Sequence, residues 1–383
     1  MTVEGVRRPA WAEISTGAIA HNARVVKQIL GDTLLCAVVK ANGYGHGARL
    51  SAVAALKGGA DSLAVAIVDE GIELRASGIA APILLLAEIP SDTILDALSY
   101  SLTLTVGSLA GARAIVEAAQ ELGGTHKVHL KVDTGMHRMG VDPAQIDEVV
   151  DVLLGSSAVD LEGIYTHFSV ADGSSGEDRN FTRSQIELFD QVLDHLKARD
   201  VTPRYVHLAN SAGVLAYPET YRTMARVGLA LYGYLPEDWL SGALEQKGLR
   251  LKPAMSLHAK VVAVRRVEEG ERPSYGRRRP LERATTVATI PFGYADGFPR
   301  RLFEAGAQVL IRGTRYPLAG TVTMDQLVVD CGDDEVHIGD DVVLLGRQGD
   351  EEITADEWAR RGETITWEIL CGIGARVPRV VVD

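Results

Sequence analysis

Leu34-Leu35-Cys36-Ala37-Val38-Val39-Lys40-Ala41-Asn42-Gly43-Tyr44-Gly45-His46-Gly47 joins an apolar run to a turn containing three glycines. The run is short, aliphatic and without polar alternation, which is how a strand buried on both faces of a parallel sheet reads. Lys40 stands at its tip, where water is partly excluded. Desolvation lowers a lysine pKa and frees the amine to act as a nucleophile or to form a Schiff base. The glycines let backbone approach a ligand closely, and a tyrosine hydroxyl lies four residues on. A lysine at a strand end is usually a solvated cap. The composition of 41–47 shifts the balance, because so glycine-rich a turn is costly in chain entropy.

Outward from this stretch, short apolar runs alternate with amphipathic ones. The runs are 34–39, 62–66, 82–86, 102–106, 127–132, 161–166, 205–208 and 223–227, with helix-like stretches such as 108–122, 142–154 and 182–199 between them. Asp142 followed by Pro143 is an N-cap with proline in the first turn. Eight strands alternating with helices predict an α/β chain built on a (β/α)8 TIM-type barrel. A doubly wound sheet is the alternative, but it usually has fewer strands and a differently spaced glycine fingerprint. Beyond residue 245 the pattern becomes β-rich, at 256–267, 285–290, 307–311, 315–318, 326–329 and 341–345. One helix is expected at 354–361 and a last strand at 377–382. The expected division is a barrel over 16–245 and a mainly β domain over 246–383.

Length and charge narrow the function classes. With 383 residues the chain can bury two large cores, and a formal net charge of −12 argues against a nucleic-acid partner. The basic cluster Arg277-Arg278-Arg279 is short and reads as a solvated loop. Cys36, Cys331 and Cys371 are sparse and lack zinc-type spacing, so neither a disulfide framework nor a metal site is expected. No secretory leader and no run near the roughly 20 apolar residues of a membrane span are visible. A cytoplasmic protein without membrane association is the expectation.

A barrel requires functional residues at the C-terminal ends of its strands. Lys40 follows the first run, while Lys131, Asp133 and Arg138 follow the fifth. His167 follows the sixth, Asn210 and Ser211 the seventh, and Arg226 ends the eighth. Each alone reads as a structural hydrogen-bond partner, but five strands agreeing on one face is harder to ascribe to chance. Ser211, Tyr44 and the N–H groups of Gly228 and Leu229 could hold a phosphate after strands seven and eight. These glycines could equally just end strands. In the β-rich half, Pro273-Ser274-Tyr275-Gly276 and 291–300, with Tyr294 and Arg300, place tyrosines in glycine turns. Met324-Asp325-Gln326 looks like a strand start.

Together these motifs resemble the alanine racemase family over nearly the whole chain. The resemblance implies pyridoxal 5′-phosphate (PLP) held by Lys40, with its phosphate on Tyr44, Ser211, Gly228 and Leu229 and with Asn210 nearby. It implies that Arg226 faces the pyridine nitrogen, supported by His167. Arg138 and Met324 would meet the substrate carboxylate. Lys131, carbamylated, would orient Arg138. Tyr294, Arg300 and Asp325 would be supporting residues. Tyr275 would reach across a homodimer as a second base opposite Lys40, and the segment 1–15 would pair with the β domain. The implied reaction is L-alanine to D-alanine racemisation, supplying peptidoglycan. PLP is an electron sink, and the protein selects which bond breaks. One departure stands out. Trp367, in Thr366-Trp367-Glu368, occupies the position of a tyrosine whose hydroxyl meets the phosphate, and an indole N–H can donate but not accept. A rearranged phosphate contact is expected, and a broader amino-acid or serine racemase stays open. A fold-related decarboxylase is disfavoured by Tyr275, and a non-catalytic PLP-binding protein by the β-rich half.

Overall fold

The computed structural model describes residues 7–383. They divide into two compact units. One comprises Gly17–Gly43 with Ala48–Lys252. The other comprises Pro253–Asp383, the short piece Tyr44–Gly47 and the segment ending at Thr16, which carries strand β1 (Ala10–Ser15).

Eight parallel strands build the first unit. They are β2 (Leu34–Val38), β3 (Ser62–Val65), β4 (Ile83–Leu85), β5 (Leu104–Val106), β6 (His126–Lys131), β7 (Val159–Tyr165), β8 (Tyr205–His207) and β9 (Met224–Val227). They pair as two arcs, β4-β3-β2-β9 and β5-β6-β7-β8. Backbone bonds join the arcs at both seams. Thr103 donates to Ile83 and Leu85 to Thr103 at one; Thr223 donates to Val206 and Arg226 to Ala209 at the other. The ring is therefore a (β/α)8 barrel. All eight expected runs are strands, because a strand covered on both faces must be apolar throughout.

Several of the helices between them are started by side-chain caps. Ser108 accepts from Gly111 N–H ahead of Leu109–Leu122. Asp142 accepts from Ala144 N–H and opens a 3-10 turn, Pro143–Gln145, before Ile146–Leu154. Helix Gly176–Ala198 begins six residues before the expected 182. A capping box between Ser175 and Asp178 starts it, and its first turns are too polar to show an apolar period.

The second unit holds β10 (Met255–Lys260), β11 (Ala263–Val267), β12 (Thr285–Ile290), β13 (Gln308–Ile311), β14 (Thr314–Pro317), β15 (Leu327–Asp330), β16 (Asp341–Gln348), β17 (Glu351–Ile353) and β18 (Arg379–Val382). One sheet has the order β14-β13-β16-β10-β1-β18, with β17 on β16; the other is β11-β12-β15. Strand β1 lies antiparallel to β10 and parallel to β18. The run expected at 256–267 is two strands in different sheets. Trp358 is fully buried, with its ring 4.6 Å from that of Phe298. The units change at Lys252–Pro253, seven residues beyond the expected 245, because Asn22 exchanges two hydrogen bonds of 2.8 Å with the backbone of Lys252. Among the described residues no helix is long and apolar enough to cross a membrane.

Candidate active site

Lys40 is half-buried at the tip of β2. Just past it the backbone turns left-handed for four residues, with φ of 52° at Ala41, 53° at Asn42, 61° at Gly43 and 51° at Tyr44. For residues bearing a Cβ this region costs about 1–2 kcal/mol each, so outside contacts must hold it. Gly43 N–H donates to Val39 O (2.9 Å), and Asn42 Oδ1 accepts from Ala48 N–H (2.9 Å). The glycine at 45 has a steric cause within the second unit. A Cβ there would lie 2.2 Å from the Leu370 carbonyl oxygen. Arg379 Nε donates to the Gly45 carbonyl at 3.0 Å.

Arg226, at the end of β9, is almost wholly buried. Its Nη1 donates to His207 Nδ1 (2.8 Å) and His207 O (2.9 Å). Its Nη2 donates to Thr166 O (2.7 Å), Leu208 O (3.2 Å) and His167 Nδ1 (3.2 Å). An arginine only donates, so both histidine Nδ1 atoms are acceptors and both protons sit on Nε2. His207 Nε2 then donates to His129 Nδ1 (2.9 Å), which leaves the His129 proton on Nε2, 3.5 Å from Glu162 Oε1. Lys127 closes the chain at 2.9 Å from the other Glu162 oxygen. Burial, reinforced by Arg226, holds His207 and His167 well below the usual imidazole range, so both are neutral. The Tyr165 ring stacks on His207 at 4.7 Å, with the Arg226 guanidinium carbon 4.8 Å from its centre.

Lys131, at the end of β6, lies with its Nζ 5.6 Å from the centre of the same ring. Burial, then the cations Arg226 and Arg138, lower its pKa to about 8. Asp133 works against that shift. Its own pKa stays low despite burial because it accepts from Gly135 N–H (3.0 Å) and His137 N–H (3.1 Å), which ties down the loop carrying Arg138. Arg226, Lys131, Arg138 and Lys40 all press on His167 electrostatically. The barrel end is therefore a concentration of positive charge, in a protein of net charge −12.

Beside it, Ser211 Oγ accepts from Gly228 N–H (3.2 Å) and Ala230 N–H (3.4 Å), which gathers the ends of the seventh and eighth barrel strands into one donor-rich corner with buried Leu229. Asn210 plays a structural part, since its Oδ1 accepts from Gly213 N–H (2.9 Å) and caps helix Ser211–Ala216. Among the described residues no group of side chains could hold a metal ion, and no disulfide joins Cys36, Cys331 or Cys371.

The remaining candidates lie in the second unit. Tyr44 is buried there, and Trp367 is half-buried on helix Thr366–Cys371. Tyr294 and Met324 are neighbours: Tyr294 N–H donates to Thr323 O, and Ala295 N–H to Met324 O, both at 3.0 Å. Met324 and Asp325 form a turn and not a strand start, since β15 begins at Leu327. Asp325 accepts from Arg376 at 2.6 Å. Arg300 opens the 3-10 turn Arg300–Leu302, and Tyr275 is 74% exposed. Sequence reasoning missed His129, Glu162 and His207, which alternate with apolar residues along their strands, and Asp296. Fully buried Asp296 binds Arg8 through both oxygens and Arg376 through one, and caps Gly293. The spacing of Gly293 and Asp296, three apart in a glycine turn, was its available signal.

Models of the alanine racemase N-terminal domain and C-terminal domain match residues 14–236 and 254–381. The chain is 43% identical to the alanine racemase of Symbiobacterium thermophilum, covering 99% of this chain and 98% of that one. It is 38% identical to that of Methanococcus maripaludis, covering 98% and 99%. Among solved structures, the alanine racemase of Bacillus anthracis with bound L-Ala-P superposes with a TM-score of 0.92 at 37% identity, over 99% of this chain and 96% of the other. That of a D-cycloserine-producing Streptomyces lavendulae gives 0.92 at 36%, over 99% and 98%.

Proposed function

The chain belongs to the alanine racemase family, and on that premise we propose that it interconverts L-alanine and D-alanine with PLP as cofactor. It is an isomerase. The observation that carries the reading is the convergence of Lys40, Lys131, Arg138 and Arg226 around neutral His167 at the barrel strand ends. Such a site suits a polyanionic cofactor and an amino-acid carboxylate.

The barrel residues fit that cofactor. Arg226 spends both terminal nitrogens on the protein, while its Nε–H makes none of those bonds and remains available to an aromatic nitrogen acceptor. Lys40 would hold PLP covalently; Ser211, Gly228 and Leu229 would hold its phosphate. Bound PLP supplies an electron sink that acidifies the Cα proton. Arg226, cationic and without an acceptor, leaves the ring nitrogen unprotonated. Arg138 orients the substrate carboxylate. Lys131, with a pKa near 8, offers a neutral amine that can take up carbon dioxide, lose a proton and present a carbamate to Arg138.

Racemisation needs one base on each face of Cα. Lys40 serves one face. Tyr275 of a second copy serves the other, a role its exposure in the single chain supports. The functional protein is then a homodimer, cytoplasmic, supplying D-alanine for peptidoglycan. The test is L-alanine with the PLP-loaded protein in heavy water, followed by chiral separation and mass detection. D-alanine carrying deuterium at Cα is expected; PLP-loaded protein that exchanges no Cα hydrogen would overturn the reading.

Trp367 favours a second reading at the level of specificity. It places a bulky donor-only ring where a phenol is expected. Broader substrate use predicts that L-serine racemises at a rate comparable to alanine and that Trp367→Tyr restores alanine preference. An unchanged preference in that variant removes this reading.

A further inference from the structure

Between the tips of two neighbouring barrel strands sits a carboxylate that none of the roles above uses. The last rung joining β2 to β3 is Val39 N–H to Ala64 O, at 2.9 Å. Past that rung the strands diverge, one into the left-handed turn after Lys40 and the other into helix Val68–Ala76. Glu70, on the first turn of that helix, bridges the gap. Its Oε1 accepts from Ala41 N–H at 2.5 Å, while its Oε2 accepts from Ala66 N–H at 2.9 Å and Ile67 N–H at 3.4 Å. A plain helix cap would account for the contacts of Oε2. It does not account for Oε1, which reaches into a different βα unit.

The Ala41 N–H belongs to the peptide plane that leaves Lys40. Fixing that plane fixes the Lys40 ψ angle and hence the direction in which the lysine side chain leaves the strand tip. Restraints further along the turn, Gly43 N–H on Val39 O, Asn42 on Ala48, and Ser51 packed under Gly43, come from the same βα unit and act beyond Ala41. Glu70 instead registers the start of the turn against the neighbouring strand. We propose that Glu70 is a positioning residue for Lys40: its carboxylate clamps the peptide plane between Lys40 and Ala41 and aims the amine. A carboxylate is required because both oxygens must accept; a glutamine would turn an N–H toward one of the backbone N–H groups.

This role rests on the reading that Lys40 carries PLP. Its test compares wild type, Glu70→Gln and the double variant Glu70→Gln with Ala41→Gly, each titrated with PLP, trapped with borohydride and mapped by peptide mass. Thermal unfolding of the apoproteins and amide exchange over 41–44 run in parallel. Glu70→Gln should reduce the fraction trapped on Lys40 by on the order of tenfold while PLP is still retained non-covalently, since misaiming a reacting group lowers its effective concentration steeply. Exchange at 41–44 should rise. Ala41→Gly, which removes the Cβ penalty of the left-handed turn, should recover part of the trapping. Trapping in Glu70→Gln equal to wild type would overturn the role. So would a loss that follows a fall in Tm and is not recovered by Ala41→Gly, because Glu70 would then be a helix cap only. A wild type that traps nothing on Lys40 would overturn the cofactor reading itself, and this role with it.

Discussion

Arg226 is a buried cation held by five uncharged acceptors, and its connection to a negative charge runs through His207 and His129 to Glu162. The arrangement works only while the histidines are neutral, since a second cation on His207 would leave Arg226 Nη1 facing a donor. Stability should therefore depend on acid. His207, His167 and His129 have folded pKa values below the unfolded value of about 6.5. Below that pH the unfolded chain binds protons that the folded chain refuses, so stability is complete above it and declines as pH falls, by up to about 1.4 kcal/mol per pH unit for each histidine. Urea unfolding at pH 7.5 and 5.5 measures this, and equal stabilities at the two would refute the neutral-histidine chain. Lys131 makes the opposite kind of prediction. Only its neutral amine reacts with carbon dioxide, and its pKa of about 8 means that this form gains population as pH rises through that value. In 13C-labelled bicarbonate, a carbamate signal should grow between pH 7 and 9 and be absent in Lys131→Met. A signal of equal size in both proteins would place the carbamate elsewhere.

At the scale of elements, the turn after β2 is shared between the units: Lys40 and its first three followers belong to the barrel, Tyr44–Gly47 to the β-rich unit. Among the described glycines of the latter, Gly45 leaves an added Cβ the least room. Its φ of +82° is strained for any other residue, and a Cβ would strike the Leu370 carbonyl, a backbone atom that cannot swing away. Gly45→Ala should cost about 2–4 kcal/mol, combining overpacking with the left-handed penalty, and should lower Tm by several degrees. A Tm within a degree of wild type would show that helix Thr366–Cys371 can move aside. The same stretch shows where legibility in the sequence ends. Continuous apolar runs announced all eight barrel strands, because burial on both faces leaves a composition that needs no partner to be read. Lys40, Arg226 and Lys131 were legible as strand-end residues for the same reason. Glu70, His129 and Glu162 were not, since a polar residue on a helix or strand carries no mark of whether it faces solvent or a neighbouring strand tip. The break within 256–267 was hidden because the two residues that separate β10 from β11, Val261 and Val262, are themselves apolar and β-branched, and helix Thr366–Cys371 is too short to show a period.

For the whole molecule, the proposed site draws Lys40 from one copy and Tyr275 from another, and a closed two-fold dimer would then contain two equivalent sites. This has an arithmetic consequence that separates it from a site completed within one chain. Lys40→Ala and Tyr275→Phe should each be inactive as homodimers. In a mixed dimer, one site combines the two defects, while the other combines the intact Lys40 of the Tyr275→Phe copy with the intact Tyr275 of the Lys40→Ala copy. Random reassociation of equal amounts gives half mixed dimers, each with one working site, so racemase activity should return to about a quarter of wild type. If Tyr275 acted within its own chain, both sites of the mixed dimer would be dead and mixing would restore nothing. Dissociation and exchange before assay, checked by mass spectrometry of differently tagged copies, ensures that mixed dimers are present when activity is read. Recovery near one quarter places the second base on the partner. Its absence in a sample of proven mixed dimers returns Tyr275 to its own chain and removes the physical reason for the enzyme to act as a pair.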